Sequence, residues 1–457
     1  MFVIPVLAGS VLKFRRSPLL SVLLMGLFAP GVVVGQQEEP ELVQAELPFP
    51  PPLATLRSAL AELAAYEAME GFSRWNGDDD PALAFLKWGG TTSLPHDLSR
   101  LEQLLEGDEH KWRSVERAVT GELLNLVGAE LSESADTQIY ARDGDRTLRK
   151  AVTLLAARLT YLASRGPRTD EESRRAWEGL AASVETMRPG CAVEQLIHGL
   201  FVIQSINAGR MLAKHGGRTA RARLRASLPL LAPLESAVAG EDRFIRRQAT
   251  LARYEADKDH LTSWFRADRV GEREILESHR APFDEAATRL LLDELHQSIH
   301  SIISQPFPWQ EIPQPAAVLQ LWSLWPESSG EGGVAPSEAE LALIRDRVHA
   351  LTNPAGVLMV EACISMYQIV LDRYKEMVLR ERLFLVELAL LDHREEHGRL
   401  PPTLEPLALS TEFITDPLTG KPIAYDPARA RLSTADPERA GNFGITVGEV
   451  RLEPYEP

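Results

Sequence analysis

The stretch from Ala355 to His397 constrains the fold more than any other part of the sequence. It contains no proline and a single glycine, Gly356. At about 1.5 Å of rise per residue, one helix over this stretch would be roughly 65 Å long. A 4-3 apolar spacing, interrupted by Glu381, runs through Val370, Tyr374, Met377, Phe384, Leu388 and Leu391. This spacing predicts a long helix whose apolar stripe packs against a core or a partner.

The residues before this stretch also follow a helical pattern. Apolar residues recur at helical spacing from Leu53 onward. They predict one helix over 53–72 and others near 97–106, 111–132, 147–164, 170–187, 192–214, 219–239, 241–257 and 283–304. Residues 305–337 are rich in Pro, Trp, Ser and Gly. They predict a long loop with one short helix near 316–325, held on the core by Trp322 and Trp325. An aromatic platform for a ligand is the alternative interpretation of this loop.

The residues after His397 differ in kind. Gly398 stands where a left-handed helix cap is needed, and Pro401 and Pro402 prevent the helix from continuing. The segments "DPLTGKPIAYDP" and "GNFGITVGEVRLEP" predict turns and short strands. The fold class is therefore predicted to be mainly α: a multi-helix body over 53–397 with a long helix at about 355–397. A small C-terminal α+β module, with a β-hairpin, follows over 398–457.

The N-terminus has the order of an export signal. Lys13, Arg15 and Arg16 precede an apolar run over 19–29, which is followed by a helix break and small residues. Residues 1–35 therefore predict a signal peptide, with an uncleaved N-terminal membrane anchor as the alternative. Residues 36–52 are acidic and proline-rich and predict an extended linker. Either interpretation places the body outside the cytoplasm, in the periplasm or beyond.

Charge and cysteine content limit the partners. The chain has 65 acidic and 49 basic residues, for a net charge of -16. This balance argues against a nucleic-acid partner, because binding phosphates requires clustered positive charge. Cys191 and Cys363 are the two cysteines. They form a disulfide in an oxidising compartment, or they are buried free thiols.

The sequence "HREEH" is the one pattern that suggests an enzyme. His393 and His397 are four residues apart on the predicted helix, a spacing that can chelate zinc, and Glu396 could serve as the general base. However, the pattern occupies the last helical turn, where histidine also complements the helix dipole. A third ligand would have to come from the C-terminal module, for example Glu405 or Asp416. We therefore interpret the pattern as a helix end and predict no metal and no cofactor.

Two further groups of residues allow either a structural or a functional interpretation. His296 and His300 form a second pair at the same spacing, and we interpret them as two partly exposed histidines rather than metal ligands. Asp78, Asp79 and Asp80 precede Pro81 and suit a helix cap better than a calcium site. Neither a phosphate-binding loop nor a serine-hydrolase elbow is present in the sequence.

The C-terminal segment resembles a known family. The end of the long helix and "FITDPLTGKPIAYDP" are similar to the segment after the helix in the major pseudopilins of type II secretion. The matching residues are His397, Gly398, Pro401, Leu404, Leu407, Asp416, Pro417, Gly420, Pro422 and Tyr425. A similar ending occurs in long exported helical proteins of planctomycetes and related bacteria. The pseudopilin calcium loop corresponds to Asp436 and Glu438, and its set of oxygen ligands is too small here to predict tight calcium binding.

These observations predict a non-enzymatic function. We expect an exported cell-envelope structural or interaction protein that binds another envelope protein and is not an enzyme. The rival is an exported zinc-dependent hydrolase that uses His393, Glu396 and His397. A small ligand bound among the helices is a third possibility, because such pockets leave no sequence signature. The sequence does not specify the oligomeric state.

Overall fold

The computed structural model describes residues 51–72, 99–105, 109–120, 143–164, 170–186, 189–252, 282–323, 337–439 and 444–447. The predicted signal or anchor, the linker up to residue 50 and the turn at Asp78 to Asp80 lie outside these ranges. The described residues are mainly helical and end in a small antiparallel sheet, which confirms the predicted fold class.

Thirteen helices lie in the described ranges. They are α1 Pro51–Ala61, α2 Ala64–Phe72, α3 Ser99–Leu105, α4 Glu109–Thr120, α5 Asp143–Ser164, α6 Asp170–Thr186, α7 Ala192–His215, α8 Gly217–Ala226, α9 Leu234–Gln248, α10 Glu285–Ile303, α11 Ala316–Trp322, α12 Glu338–His349 and α13 Pro354–His397. Residues 53–72 therefore form two helices rather than the single one predicted. The long helix α13 begins one residue before the predicted start and ends at the predicted residue.

Two hydrophobic cores share α13. The first core is built from α1 to α8 together with the part of α13 from Leu379 to Leu391. The second core is built from α9 to α12 and the part of α13 from Val357 to Leu371. The apolar stripe of α13 is thus buried within the chain itself. This helix is long and apolar enough to cross a membrane, but 67% of its most apolar window is buried inside the protein.

Small residues allow α7 to lie close against α13. A Cβ atom at Gly199 would lie 1.8 Å from Sδ of Met377. A Cβ atom at Gly209 would lie 3.1 Å from Cζ of Phe384. A buried ion pair crosses the same interface, with 2.6 Å between Nε of Arg210 and Oε2 of Glu387. The contact between α7 and α13 is therefore both closely packed and electrostatically paired.

The break predicted near residue 240 is wrong. The chain leaves the helical conformation between α8 and α9, at residues 227–233, and Gly240 lies inside α9. Pro229 and Pro233 explain the position of the break, because proline cannot donate the backbone hydrogen bond that a helix interior requires. Gly240 serves close packing instead: a Cβ atom there would lie 1.6 Å from the carbonyl oxygen of Gly190.

The helix α12 was not predicted, although its start carries a capping box. The hydroxyl of Ser337 accepts a hydrogen bond from the backbone N–H of Glu340 at 3.3 Å. The carboxylate of Glu340 in turn accepts one from the backbone N–H of Ser337 at 2.7 Å. This reciprocal pair satisfies two donors that a helix start leaves open.

The loop before α11 packs along α13. The ring of Trp309 stacks on Tyr374 of α13, with ring centroids 5.6 Å apart. The backbone N–H of Ile312 donates to Oε1 of Gln368 at 3.1 Å. The short helix predicted in this region is present as α11. The side chains of Trp322 and Trp325, predicted to hold the loop, lie outside the described residues.

The C-terminal module contains a three-stranded sheet. Its strands β1 Ala424–Asp426, β2 Arg431–Ser433 and β3 Gly444–Thr446 pair antiparallel in sequence order. Leu432 lies opposite Tyr425 on one side and opposite Ile445 on the other. Leu432 is fully buried and joins the first core, so the sheet is packed against the helical body.

Candidate functional site

The two histidines of the "HREEH" pattern stack on each other at the end of α13. Their ring centroids are 4.1 Å apart and the rings are inclined by 19°. Nδ1 of His393 lies 3.1 Å from the carbonyl oxygen of Arg399. Nδ1 of His397 lies 3.1 Å from the carbonyl oxygen of His393. Because a carbonyl oxygen only accepts, each Nδ1 is the donor, and the two rings bind one carbonyl in the last turns of α13 and one just beyond Gly398.

The acidic residues of the same turns face α8. Nε of Arg221 lies 2.5 Å from Oδ1 of Asp392, and the Arg221 guanidinium also pairs with Glu395. Arg225 pairs with Asp392, and Arg218 approaches Oε2 of Glu396 at 3.9 Å. We call these six residues the arginine clamp. It fixes the end of α13 to α8 and directs Glu396, the candidate general base, toward Arg218.

Neither candidate for a third zinc ligand joins the histidines. Asp416 is fully buried within the C-terminal module, where its carboxylate accepts three hydrogen bonds. The donors are Oγ1 of Thr434 at 2.5 Å and the backbone N–H groups of Ala435 and Leu418, both at 2.8 Å. Glu405 is exposed at the start of a short 3₁₀ helix. No three His, Cys, Asp or Glu side chains within the described ranges are arranged to hold a metal ion.

The residues that carry the pseudopilin resemblance stabilise turns in the backbone. Gly398 adopts a φ of 71°, the left-handed conformation that ends α13 as predicted. The hydroxyl of Tyr425 donates to the carbonyl oxygen of Pro401 at 2.9 Å and so ties β1 to the helix exit. Pro401 is itself buried. These contacts fix the direction in which the chain leaves the helix.

The "DPLTGKP" turn is built around Asp416. Its backbone N–H donates to the carbonyl oxygen of Lys421 at 2.8 Å, and its carbonyl accepts from Gly420 at 2.8 Å. Gly420 has a φ of 70°, and a Cβ atom there would lie 2.7 Å from Cδ of Pro308. Pro417 is buried, and Pro422 forms an isolated antiparallel bridge with Thr415. The turn therefore requires glycine both for its backbone conformation and for its contact with the loop before α11.

Sequence reasoning missed the residue that joins this module to α13. Nη1 of Arg382 donates to the carbonyl oxygen of Thr415 at 2.7 Å. The same guanidinium lies 5.3 Å from the centroid of the Phe307 ring. Arg382 is buried at the point where α13, the loop before α11 and the C-terminal module meet. The only sequence signal was a charged residue inside an apolar helix, which does not reveal its partners.

The other histidine pair is not two partly exposed histidines. His296 is buried, with 5% of its surface exposed, whereas His300 is exposed. Nδ1 of His296 lies 2.8 Å from the carbonyl oxygen of Leu292 and 2.9 Å from Oδ1 of Asp242. Its Nε2 lies 3.1 Å from the hydroxyl oxygen of Tyr367 on α13. The packing of α10 between α9 and α13 encloses one member of the pair and leaves the other in solvent.

The carboxyl group of Glu241 is buried on α9, close to Tyr367. Glu241 accepts a hydrogen bond from the backbone N–H of Ala192 at 3.0 Å and so caps the start of α7. Burial raises the pKa of Glu241 to about 7, and the hydrogen bond from Ala192 opposes this shift. We call Glu241, Asp242, Arg246, His296 and Tyr367 the histidine cluster. No sequence signal pointed to Glu241 or Tyr367, since the cluster joins residues far apart in the chain.

The two cysteines do not form the disulfide considered from the sequence. Cys191 lies in the first core and Cys363 in the second. Both side chains are buried, and burial raises the pKa of the Cys363 thiol, which keeps it protonated at neutral pH.

Searches against protein-family models, curated proteins and solved structures found no match to this chain.

Proposed function

We propose that the protein is an exported cell-envelope structural or interaction protein whose C-terminal module contacts another envelope protein. The observation that carries the proposal is that side-chain hydrogen bonds hold this module in a fixed position on the helical body. Arg382, Tyr425 and Asp416 fix it to α13 and to its own turns. A surface that is already rigid loses little conformational entropy when a partner binds.

An exposed aromatic residue marks the contact surface. Phe413 lies in the turn before Asp416 and has 37% of its surface exposed. Among the described residues, it is the one aromatic in the group of exposed large hydrophobic side chains, the others being leucines. Aromatic side chains are enriched in the anchoring positions of protein interfaces. We therefore propose that the partner contacts Phe413.

The state of the "HREEH" residues supports the same proposal over the hydrolase. Glu395 and Glu396 of the pattern pair with arginines of α8, and the two histidines donate to backbone carbonyls. These contacts give each residue a structural role. The described residues bring no third ligand to them.

The test is site-specific photocrosslinking of the full chain in its native cells. A benzoylphenylalanine at position 413 keeps an aromatic ring there, and the same residue at Leu343, which is 51% exposed on α12, is the matched control. We expect discrete adducts from position 413 and none from position 343. Protease added to cells with a permeabilised outer layer should degrade the protein while cytoplasmic markers survive.

Two results would overturn the proposal. One is protection of the protein together with the cytoplasmic markers, which would exclude an envelope location. The other is a protein in the envelope that gives no adduct at position 413. An adduct with the mass of two copies would identify the partner as the protein itself.

A further inference from the structure

The histidine cluster lies among the helices of the second core. His296 comes from α10, Asp242 and Arg246 from α9, and Tyr367 from α13. Nε of Arg246 lies 2.5 Å from Oδ1 of Asp242, and Nη1 of Arg246 lies 2.6 Å from Oδ1 of Asp293 on α10. One imidazole ring therefore connects three helices through side-chain contacts.

The surroundings of His296 fix its tautomer. Its Nδ1 faces two acceptors, the carbonyl oxygen of Leu292 and the carboxylate of Asp242, so Nδ1 must carry hydrogen. In the neutral ring Nε2 is then the acceptor, and the hydroxyl of Tyr367 donates to it. Tyr367 has no other hydrogen-bond partner among the described residues. The hydroxyl hydrogen of Tyr367 thus has an acceptor at this point only while Nε2 is unprotonated.

We propose that the histidine cluster is a proton-operated joint that holds α10 to α13 when His296 is neutral and loosens when the ring gains a second proton. The added proton comes from solvent and binds Nε2, which becomes a donor. The hydroxyl of Tyr367 then loses its acceptor inside the core. A buried donor without a partner is unfavourable, so the packed arrangement of α10 against α13 is weakened.

The charged groups around the ring act in opposite directions. Asp242 on α9 favours the charged ring, whereas Arg246 on α9 and His300 on α10 oppose it. On α13, Cys363 lies close to Tyr367, and Glu241 of α9 also acts on Tyr367. Desolvation is the largest effect, and with these charges it lowers the pKa of His296 below its usual 6.5. The neutral ring therefore contributes stability above pH 6.5, and this contribution is lost as pH falls toward the folded-state pKa.

The test is hydrogen–deuterium exchange of the full chain at pH 7.5 and 5.5, corrected for the intrinsic exchange rate. The variant is His296→Gln, which does not titrate and whose amide oxygen can accept from Tyr367. We expect protection of the α10 amides to fall about ten-fold in the wild type and to change less than about two-fold in the variant. The matched control is His300→Gln, which should keep the response and move its midpoint slightly to higher pH, because the charge of His300 opposes protonation of His296.

A second measurement keeps the proposal testable if His296→Gln does not fold. Proton–carbon NMR of the wild type follows the Cε1–H signals of the histidines against pH. We expect loss of α10 protection to follow the titration of the His296 signal. The proposal is wrong if α10 protection is independent of pH, if the His296→Gln variant keeps the wild-type response, or if His300→Gln abolishes it.

Discussion

The two histidine pairs of this protein share a spacing and differ in almost everything else. His296 and His300 lie within α10, where packing against α9 and α13 buries the first ring and supplies it with Asp242 and Tyr367. His393 and His397 lie in the last turns of α13, where the rings stack and bind carbonyls of the helix end. The i, i+4 spacing places two rings on one face of a helix. Their chemistry is then decided by what the rest of the fold packs against that face.

The largest expected effect separates the pairs by stability. His296→Ala would leave a cavity and remove the acceptor of Tyr367 and one of the two partners of Asp242, so we expect a loss of about 2–4 kcal/mol in the free energy of unfolding. His393→Ala at the helix end should cost less than about 1 kcal/mol. Urea denaturation of both variants at pH 7.5 measures the difference. Equal losses would mean that burial does not distinguish the pairs.

The second prediction concerns Glu241, the buried acid of the histidine cluster. Burial raises the pKa of Glu241 to about 7, above its usual 4.5. The folded state therefore holds this proton more tightly, and the stability that the proton contributes is lost as pH rises from 4.5 through 7. Relative to the wild type, Glu241→Gln should gain up to about 3 kcal/mol between pH 5 and pH 9. Urea midpoints across this range check the sign, and a variant curve parallel to the wild-type curve would contradict it.

A third prediction concerns Gly398, which ends α13 next to His393 and His397. Gly398 has a φ of 71°, which a residue with a Cβ atom adopts only at a cost. Gly398→Ala should lower the free energy of unfolding by about 1 kcal/mol. No atom lies within 4 Å of a Cβ at this position, so a loss much larger than this would point to a cause other than backbone conformation.

The smallest expected effect tests the exposed pair as a metal site. We expect no stoichiometric zinc on the purified protein and the same zinc content in a His393→Ala, His397→Ala double variant. Elemental mass spectrometry after dialysis against a weak chelator measures both. Stoichiometric zinc in the wild type that is lost in the double variant would restore the hydrolase hypothesis.

Local rules predicted α13 and its cap well. The long stretch without helix breakers and Gly398 determine where the helix ends, and both are visible in a short window of sequence. The capping box of α12 was equally local and was overlooked. The break between α8 and α9 falls at Pro229 and Pro233 rather than at Gly240, because a helix tolerates glycine far better than proline.

The candidate sites could not be predicted in the same way. His296 and Tyr367 are 71 positions apart, and no periodic pattern links them. Arg210 and Glu387 are separated by 177 positions, and Arg382 meets a backbone carbonyl that leaves no mark in the sequence. Pairings of this kind depend on how helices cross, and one sequence carries little information on that. The motif "HREEH" is visible in the sequence, but the arginines of α8 that pair with Glu395 and Glu396 are not.

The position of α13 near the end of the chain has a consequence for folding order. Both cores need this helix, because the first core includes Leu379 to Leu391 and the second includes Val357 to Leu371. More than 300 residues must be synthesised before the first core can be completed. Contacts between such distant positions form slowly, because a long chain segment must first be ordered. Neither core can therefore be completed before α13 has formed, and a substitution that loosens α13 should weaken both cores together.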